Sequence, residues 1–148
     1  MRLRQLFDRF LGSGSSSESA ASSSTTTLQD GLVLGYAPDA DGDADPGEVV
    51  WTWVAYEEDP SQGKDRPVVV LGRYPDGRVA GLMLTSKDHG GDPDYHLVGS
   101  GGWDHEGRPS WVKLDRLIVM GADDLRREGA RLDEGRYDAV VAAWLAVR

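Results

Sequence analysis

GEVVWTWVAY (47–56), EEDPSQGKD (57–65), RPVVVLGR (66–73), YPDG (74–77) and RVAGLMLTSKDH (78–89) form one continuous stretch in which three apolar runs are separated by a long polar loop and a tight turn. Val49 to Tyr56 is β-branched and aromatic, the composition of a strand. Alternation there puts Val49, Trp51 and Trp53 on one face and Val50, Thr52 and Val54 on the other. Arg66 to Leu71 is continuously apolar after its first residue, as a central buried strand would be, with Pro67 accommodated only at its start. Pro75, Asp76 and Gly77 predict a hairpin turn into Val79–Thr85. The residues with chemical potential sit at strand ends. Lys64 and Arg66 enter the second run, and Thr85, Ser86, Lys87 and His89 leave the third. A hairpin brings the start of one strand beside the end of the next, so Arg66 and Thr85 are expected to share one end of the sheet.

Downstream, 87–94 reads as a loop, Tyr95–Val98 as a short strand, 99–110 as a second turn-rich loop, and Trp111–Met120 as one long strand. Asp123 or Asp124 is placed to cap a short helix running to Glu128 and ended by Gly129. A final helix starts near Asp133, with Tyr137, Val140, Val141, Trp144 and Leu145 at the spacing of one buried stripe. The expected fold is mainly β with a C-terminal helix: five or six short antiparallel strands forming a small barrel, covered on one side by that helix.

Upstream, residues 1–11 have Leu3, Leu6, Phe7, Phe10 and Leu11 on one helical face, a short amphipathic helix. Residues 12–46 read as a linker, first rich in Ser and Thr and then acidic, with Leu28–Tyr36 as a brief apolar patch able to add an edge strand. Residues 47–148 are the barrel domain. Asp39, Asp41, Asp43 and Asp45 alternate like calcium ligands, but Ala44 and Val50 stand where that loop needs Gly and a carboxylate, so the tract reads as a solvated acidic loop.

The formal charge is −9. Residues 1–47 hold three Arg against seven acids and residues 48–148 hold thirteen Lys or Arg against eighteen acids, so neither part offers a broad nucleic-acid face. Gly63–His89 is a local exception, with five cations and three acids. Cysteine is absent, which excludes disulfides, thiolate metal sites and thiol nucleophiles and suits a reducing cytoplasm. No apolar run is long enough to span a bilayer. Arg4, Asp8 and Arg9 interrupt the N-terminal apolar residues, so no secretory signal is expected, and one short amphipathic helix with few cations on an acidic protein is not expected to bind membranes stably. The histidines are not at ligand spacing, so no metal and no cofactor is expected.

Taken in order, GEVVW at Gly47–Trp51, GKDRPVVVL at Gly63–Leu71 and LTSK at Leu84–Lys87, followed by a late strand and a closing helix, resemble the PemK/MazF-like toxins of type II toxin–antitoxin systems. The resemblance covers Gly47 to Arg148. It implies a small SH3-like barrel, a homodimer, metal-independent cleavage of single-stranded RNA, and restraint by a cognate antitoxin. Arg66 matches the arginine of the family's Arg-Pro motif, and Thr85, with Ser86 beside it, matches the hydroxyl residue ending the next strand. The match breaks in the loop. Where family members often carry an acid five residues before that arginine, this chain has Ser61, and its glycine is shifted to Gly63. The nearest acids are Glu57, Glu58, Asp59 and Asp65.

Such a cleavage needs a base for the 2′-OH, an acid for the leaving 5′ oxygen, and cations for the phosphorane. Arg66 suits the last task, because its planar fork meets two phosphate oxygens. Thr85 and Ser86 can donate to the same phosphate, Lys64 and Lys87 can add charge, and His89 carries the imidazole suited to acid–base work. Trp103, in a glycine-rich loop, is the candidate for stacking an unpaired base. Each residue also has a structural reading: Arg66 paired with Asp65 or Glu48, Thr85 and Ser86 ending a strand, His89 in solvent, Trp103 anchoring its loop. Trp51, Trp53, Trp111 and Trp144 read as core or interface aromatics. The rival function is a non-catalytic barrel that binds a protein partner.

Overall fold

The computed structural model describes residues 25–38 and 43–148. The amphipathic segment 1–11 and most of the serine tract lie outside the described residues. The three central runs form β3 (Glu48–Ala55), β4 (Gly63–Arg73) and β5 (Val79–Thr85), preceded by two short strands, β1 (Thr26–Thr27) and β2 (Val33–Leu34). They are followed by β6 (Tyr95–Gly99), β7 (Ser110–Lys113), β8 (Ile118–Met120), a single 3₁₀ turn at Ala122–Asp124, β9 (Leu125–Arg131) and α1 (Glu134–Val147). All pairings are antiparallel. The result is a mainly antiparallel β half-barrel with one C-terminal helix, the expected fold class.

β4 is the hub. One edge pairs with β3 near its start and with β2 at its end, and the other edge pairs with β5. β5 in turn pairs with β8 at its beginning and with β7 at its end, and β6 lies outside β7. The hairpin between β4 and β5 forms at the predicted turn, with Gly77 N–H donating to the Tyr74 carbonyl at 3.0 Å and Gly77 at φ +94°. Side chains alternate between two apolar faces. Val49, Val69, Leu71, Leu82 and Leu84 pack with Leu32, Leu34, Trp103 and the Tyr137, Val140, Val141, Trp144 stripe of α1. Val50, Val54, Val68, Val70 and Val79 pack with Met120, and Met83, Ile118 and Leu125 lie against them. Each fully buried Val or Leu contributes about 1.5–3 kcal/mol. Burial on both faces explains why 68–71 reads as an unbroken apolar run.

α1 starts near Asp133 as expected, and Asp133 caps it by accepting from Arg136 N–H. The Tyr137 hydroxyl donates to the Leu71 carbonyl at 2.6 Å and accepts from Gly35 N–H at 3.0 Å. Burial raises the Tyr137 pKa far above that of a free phenol. Gly47 is a crossing point. Its N–H donates to Val70, its carbonyl accepts from Leu132, and at φ +103° any Cβ would sit 2.6 Å from the Tyr36 ring, so only glycine fits.

Four expectations are corrected. Residues 12–46 are not linker throughout: β2 is the edge strand that Leu28–Tyr36 was able to add, β1 precedes it, and Leu32 and Leu34 are buried. Pro67 lies inside β4 rather than at its start, opposite Trp51 of β3. Residues 111–120 are two strands. The two residues of β5 between Gly81 and Leu84 are matched by five, 113–117, so the chain must loop out between β7 and β8. The expected helix from Asp123 to Glu128 is instead the 3₁₀ turn and β9. So short a helix is not self-sustaining, whereas the edge of β3 offers hydrogen bonds, and Gly129 at φ +84° lies where the β3–β9 register shifts.

β3 and β9 are also joined by charge. Glu48, buried, accepts from Arg127 Nε and Nη2 at 2.9 Å each and from Asp45 N–H at 2.8 Å, while Asp45 receives Arg73 of β4 at 2.7 Å. Removing one partner of a buried pair costs about 3–5 kcal/mol. Glu48→Ala is therefore expected to lower the urea midpoint sharply, whereas Arg126→Ala, in the exposed pairs with Asp65 and Glu128, leaves it nearly unchanged. Equilibrium urea unfolding followed by circular dichroism checks both.

Candidate active site

Pro67 has no N–H to donate, and the ladder between β4 and β5 stops beside it: Val68↔Met83 is its last pair. Two residues further along each strand stand Arg66 and Thr85. The two-residue period of strands puts both on the face of Val68 and Met83, beyond the zipped part of the hairpin. Across β3, Arg66 lies opposite Thr52, whose hydroxyl is committed to the Asp124 carbonyl at 2.5 Å.

The structural reading of Arg66 fails. Asp65 is taken by Arg126 at 3.0 Å and Glu48 by Arg127, and the Arg66 guanidinium has no ion pair or hydrogen bond among the described residues. Lys64, two residues earlier in β4, and Lys87, after β5, are exposed and make no ion pair there either. Thr85 does end its strand as expected, its Oγ1 accepting from Lys87 N–H at 3.2 Å. The hydroxyl proton remains available to donate. Ser86 is exposed. His89 does not stand in open solvent: its ring lies flat on Tyr95, with centroids 3.5 Å apart and planes 1° from parallel.

The face continues across the sheet. Thr85 is opposite Trp111 of β7, and Trp111 is opposite Leu97 of β6, which is 51% exposed. One step further along β7, Lys113 is opposite Tyr95. Its Nζ lies 2.6 Å from Asp115, 3.4 Å from Glu57 and 5.6 Å from the centre of the Tyr95 ring. Burial opposes its charge, but the hydrogen bond it donates to Asp115 and the charges of Asp115, Tyr95 and Glu57 outweigh it, so its pKa stands above that of a free lysine. Trp111, Lys113 and Tyr95 were not picked out as site residues in the sequence. The signal was present in SWVK (110–113), where Val112 is core and its neighbours must face the other way, but nothing local says which strand β7 joins. His96 faces away from Tyr95 and is half-buried, and desolvation lowers its pKa.

The loop between β3 and β4 enters at this end. Glu57 reaches Lys113, and Asp59 Oδ1 is used inside the loop by the Ser61 hydroxyl at 2.6 Å and its N–H at 3.2 Å. Glu58 is the loop carboxylate left without a partner among the described residues.

Trp103 is a correction. It is 3% exposed in the helix-side core, its Nε1 donates to Ser110 Oγ at 2.9 Å, and the Arg136 guanidinium lies 5.6 Å from its ring. A Cβ at Gly101 would run into that ring, so Gly101 serves to lay the indole down rather than to present it. Among the described residues no group of three His, Cys, Asp or Glu is placed to hold a metal ion, and no helix is long and apolar enough to cross a membrane.

The class defined by fold and face is a small antiparallel half-barrel with an unclaimed arginine and a strand-terminal hydroxyl at one end. The family model described as PemK-like, MazF-like toxin of type II toxin–antitoxin system matches residues 45–147, and the chain belongs to that family. Members are typically mRNA interferases, and membership implies a cognate antitoxin. No curated protein matches the chain significantly.

The burial of Trp103 has a measurable consequence. Trp103→Ala is expected to destabilise the fold by about 3–5 kcal/mol, seen as a lower urea denaturation midpoint by circular dichroism.

Proposed function

We propose that this protein is a metal-independent endoribonuclease that cuts single-stranded RNA in the cytoplasm, acts as a homodimer and is restrained by its antitoxin. The observation that carries the reading is the unclaimed guanidinium of Arg66 beside the unzipped end of β5 that bears Thr85. A buried-pair arginine would already have its carboxylate, as Arg127 has in Glu48. An arginine left open beside a hydroxyl donor suits an anion supplied from outside.

In the proposed reaction the 2′ oxygen of one nucleotide attacks the adjacent phosphorus. The O2′–P bond forms, the P–O5′ bond breaks, and a 2′,3′-cyclic phosphate is left. Arg66 meets two non-bridging oxygens as charge grows on them, and the Thr85 hydroxyl, with Ser86 next to it, donates to the same group. The proton taken from the 2′-OH and the one given to the 5′ oxygen need a titrating pair. His89, held by Tyr95, and Glu58, free in the loop, are the groups assigned to it. Lys64 and Lys87 extend the positive charge along the strand ends. In an otherwise acidic protein this local charge predicts modest, salt-sensitive affinity. Trp53, 61% exposed on β3, and Leu97 supply apolar surface consistent with self-association.

Arg66→Ala is expected to slow cleavage by about 10²-fold or more with the fold intact, and Arg66→Lys is not expected to rescue it fully, since a point charge cannot replace the fork. Thr85→Ala should lose less, because Ser86 is adjacent. His89→Ala should remove one limb of the pH–rate profile; an unchanged profile would take His89 out of the pair and give its place to a second loop carboxylate such as Asp59. The assay is cleavage of a long single-stranded RNA in EDTA, with light scattering to check the dimer. If wild-type protein cuts nothing, or Arg66→Ala cuts equally well, the protein-binding barrel is the surviving reading.

A further inference from the structure

Lys113 is a cation of the same face that the proposed chemistry leaves unused. It stands one strand step from Trp111, the residue opposite Thr85, and on the same side of the sheet. Its side chain is 12% exposed, so it is largely covered and held in place. Its two carboxylate partners are unequal. Asp115, two residues on, lies at 2.6 Å, a full charge-assisted hydrogen bond. Glu57 lies at 3.4 Å, beyond ordinary hydrogen-bond length, is 57% exposed, and comes from the loop that enters over the site.

We propose that Lys113 is a second phosphate-binding group of the RNA face, and that Glu57 occupies it in the free protein where a substrate phosphate sits in the complex. The inference rests on the ribonuclease reading above. Asp115 orients the ammonium and stays. Glu57 offers an anionic oxygen where a non-bridging phosphate oxygen would go, and because Glu57 is itself exposed and lies at 3.4 Å its hold is weak enough to be exchanged for one. The ammonium has three donors, so it can keep Asp115 and still accept a phosphate in place of Glu57. The exchange swaps one anion for another, which spares the cost of leaving a mostly buried lysine without a counter-charge. The Glu57 carboxylate then returns to solvent, and the acidic loop raises the threshold for weakly held polyanions.

The test is binding of a 2′-O-methylated single-stranded RNA oligonucleotide, which cannot be cut, to the full chain over a series of salt concentrations. Glu57→Gln is expected to tighten binding about two- to five-fold at low salt. Lys113→Met should weaken it and reduce the slope of log affinity against log salt by about 0.7, and Lys113→Arg should keep most of the affinity. The decisive arm is the double variant: in the Lys113→Met background, Glu57→Gln should give no gain. A gain of equal size in both backgrounds would mean general charge relief and would overturn the proposal, as would a silent Glu57→Gln. Because Glu57 is an exposed loop residue, the single Glu57→Gln measurement does not depend on how well Lys113 variants fold. If Arg66→Ala weakens binding while Lys113→Met and Glu57→Gln do nothing, this inference alone falls. If wild-type protein binds no RNA at any salt, the ribonuclease reading falls and takes the inference with it.

Discussion

β4 meets β3 and β2 along one edge and β5 along the other, so its register sets where nearly every other element can lie. Val69 and Leu71 must face the helix-side core, which sends Val68 and Val70 to the opposite face. A slip of one residue would turn Arg66 towards the helix-side core and exchange the residues packed in the two cores. Pro67 supplies the second half of the constraint. Having no N–H, it sits where the ladder to β5 ends, and the two strands part just where their polar residues begin. The site is thus the place where a hairpin stops pairing, with its geometry inherited from the paired part.

Charge in this molecule is sorted by position rather than by total. Arg73, Arg127, Arg126 and Arg136 each have a carboxylate within ion-pair distance, and those pairs join strands, edge and helix start. Lys64, Arg66 and Lys87 are left out of these networks and cluster at one end. A net negative chain can therefore still present a local positive field, because screening confines each exposed charge to its own neighbourhood. The acidic loop modulates that field, since Glu57 is spent on Lys113, Asp59 on Ser61, and Glu58 on nothing among the described residues.

The misread elements share one cause. For residues 123–129, acids before a glycine are a fair helix signal, but a few residues cannot sustain a helix when an open strand edge lies beside them. In 111–120 the apolar pattern is continuous, yet β5 demands two registers three residues apart, and the excess has to leave the sheet. Glycines around Trp103 suggested an aromatic held out to solvent; one of them, Gly101, instead leaves room for the ring to fold back into the core. In each case local composition was compatible with two outcomes, and a partner distant in sequence selected one.

The three-strand unit, its Tyr74–Arg78 turn, the capped final helix with its apolar stripe, and the placing of Arg66 and Thr85 at one end of a hairpin were all determined by the sequence alone. Each depends on contacts only a few residues apart or on a period that local geometry dictates. Only the tertiary structure decided that Arg66 is unclaimed, since this depends on Arg126 and Arg127 of β9 taking Asp65 and Glu48 from across the sheet. It alone also joined Trp111, Lys113 and Tyr95 to the face and removed Trp103 from it. Strand order and the choice among competing charge partners are settled by burial summed over the whole core. No window of sequence contains that sum.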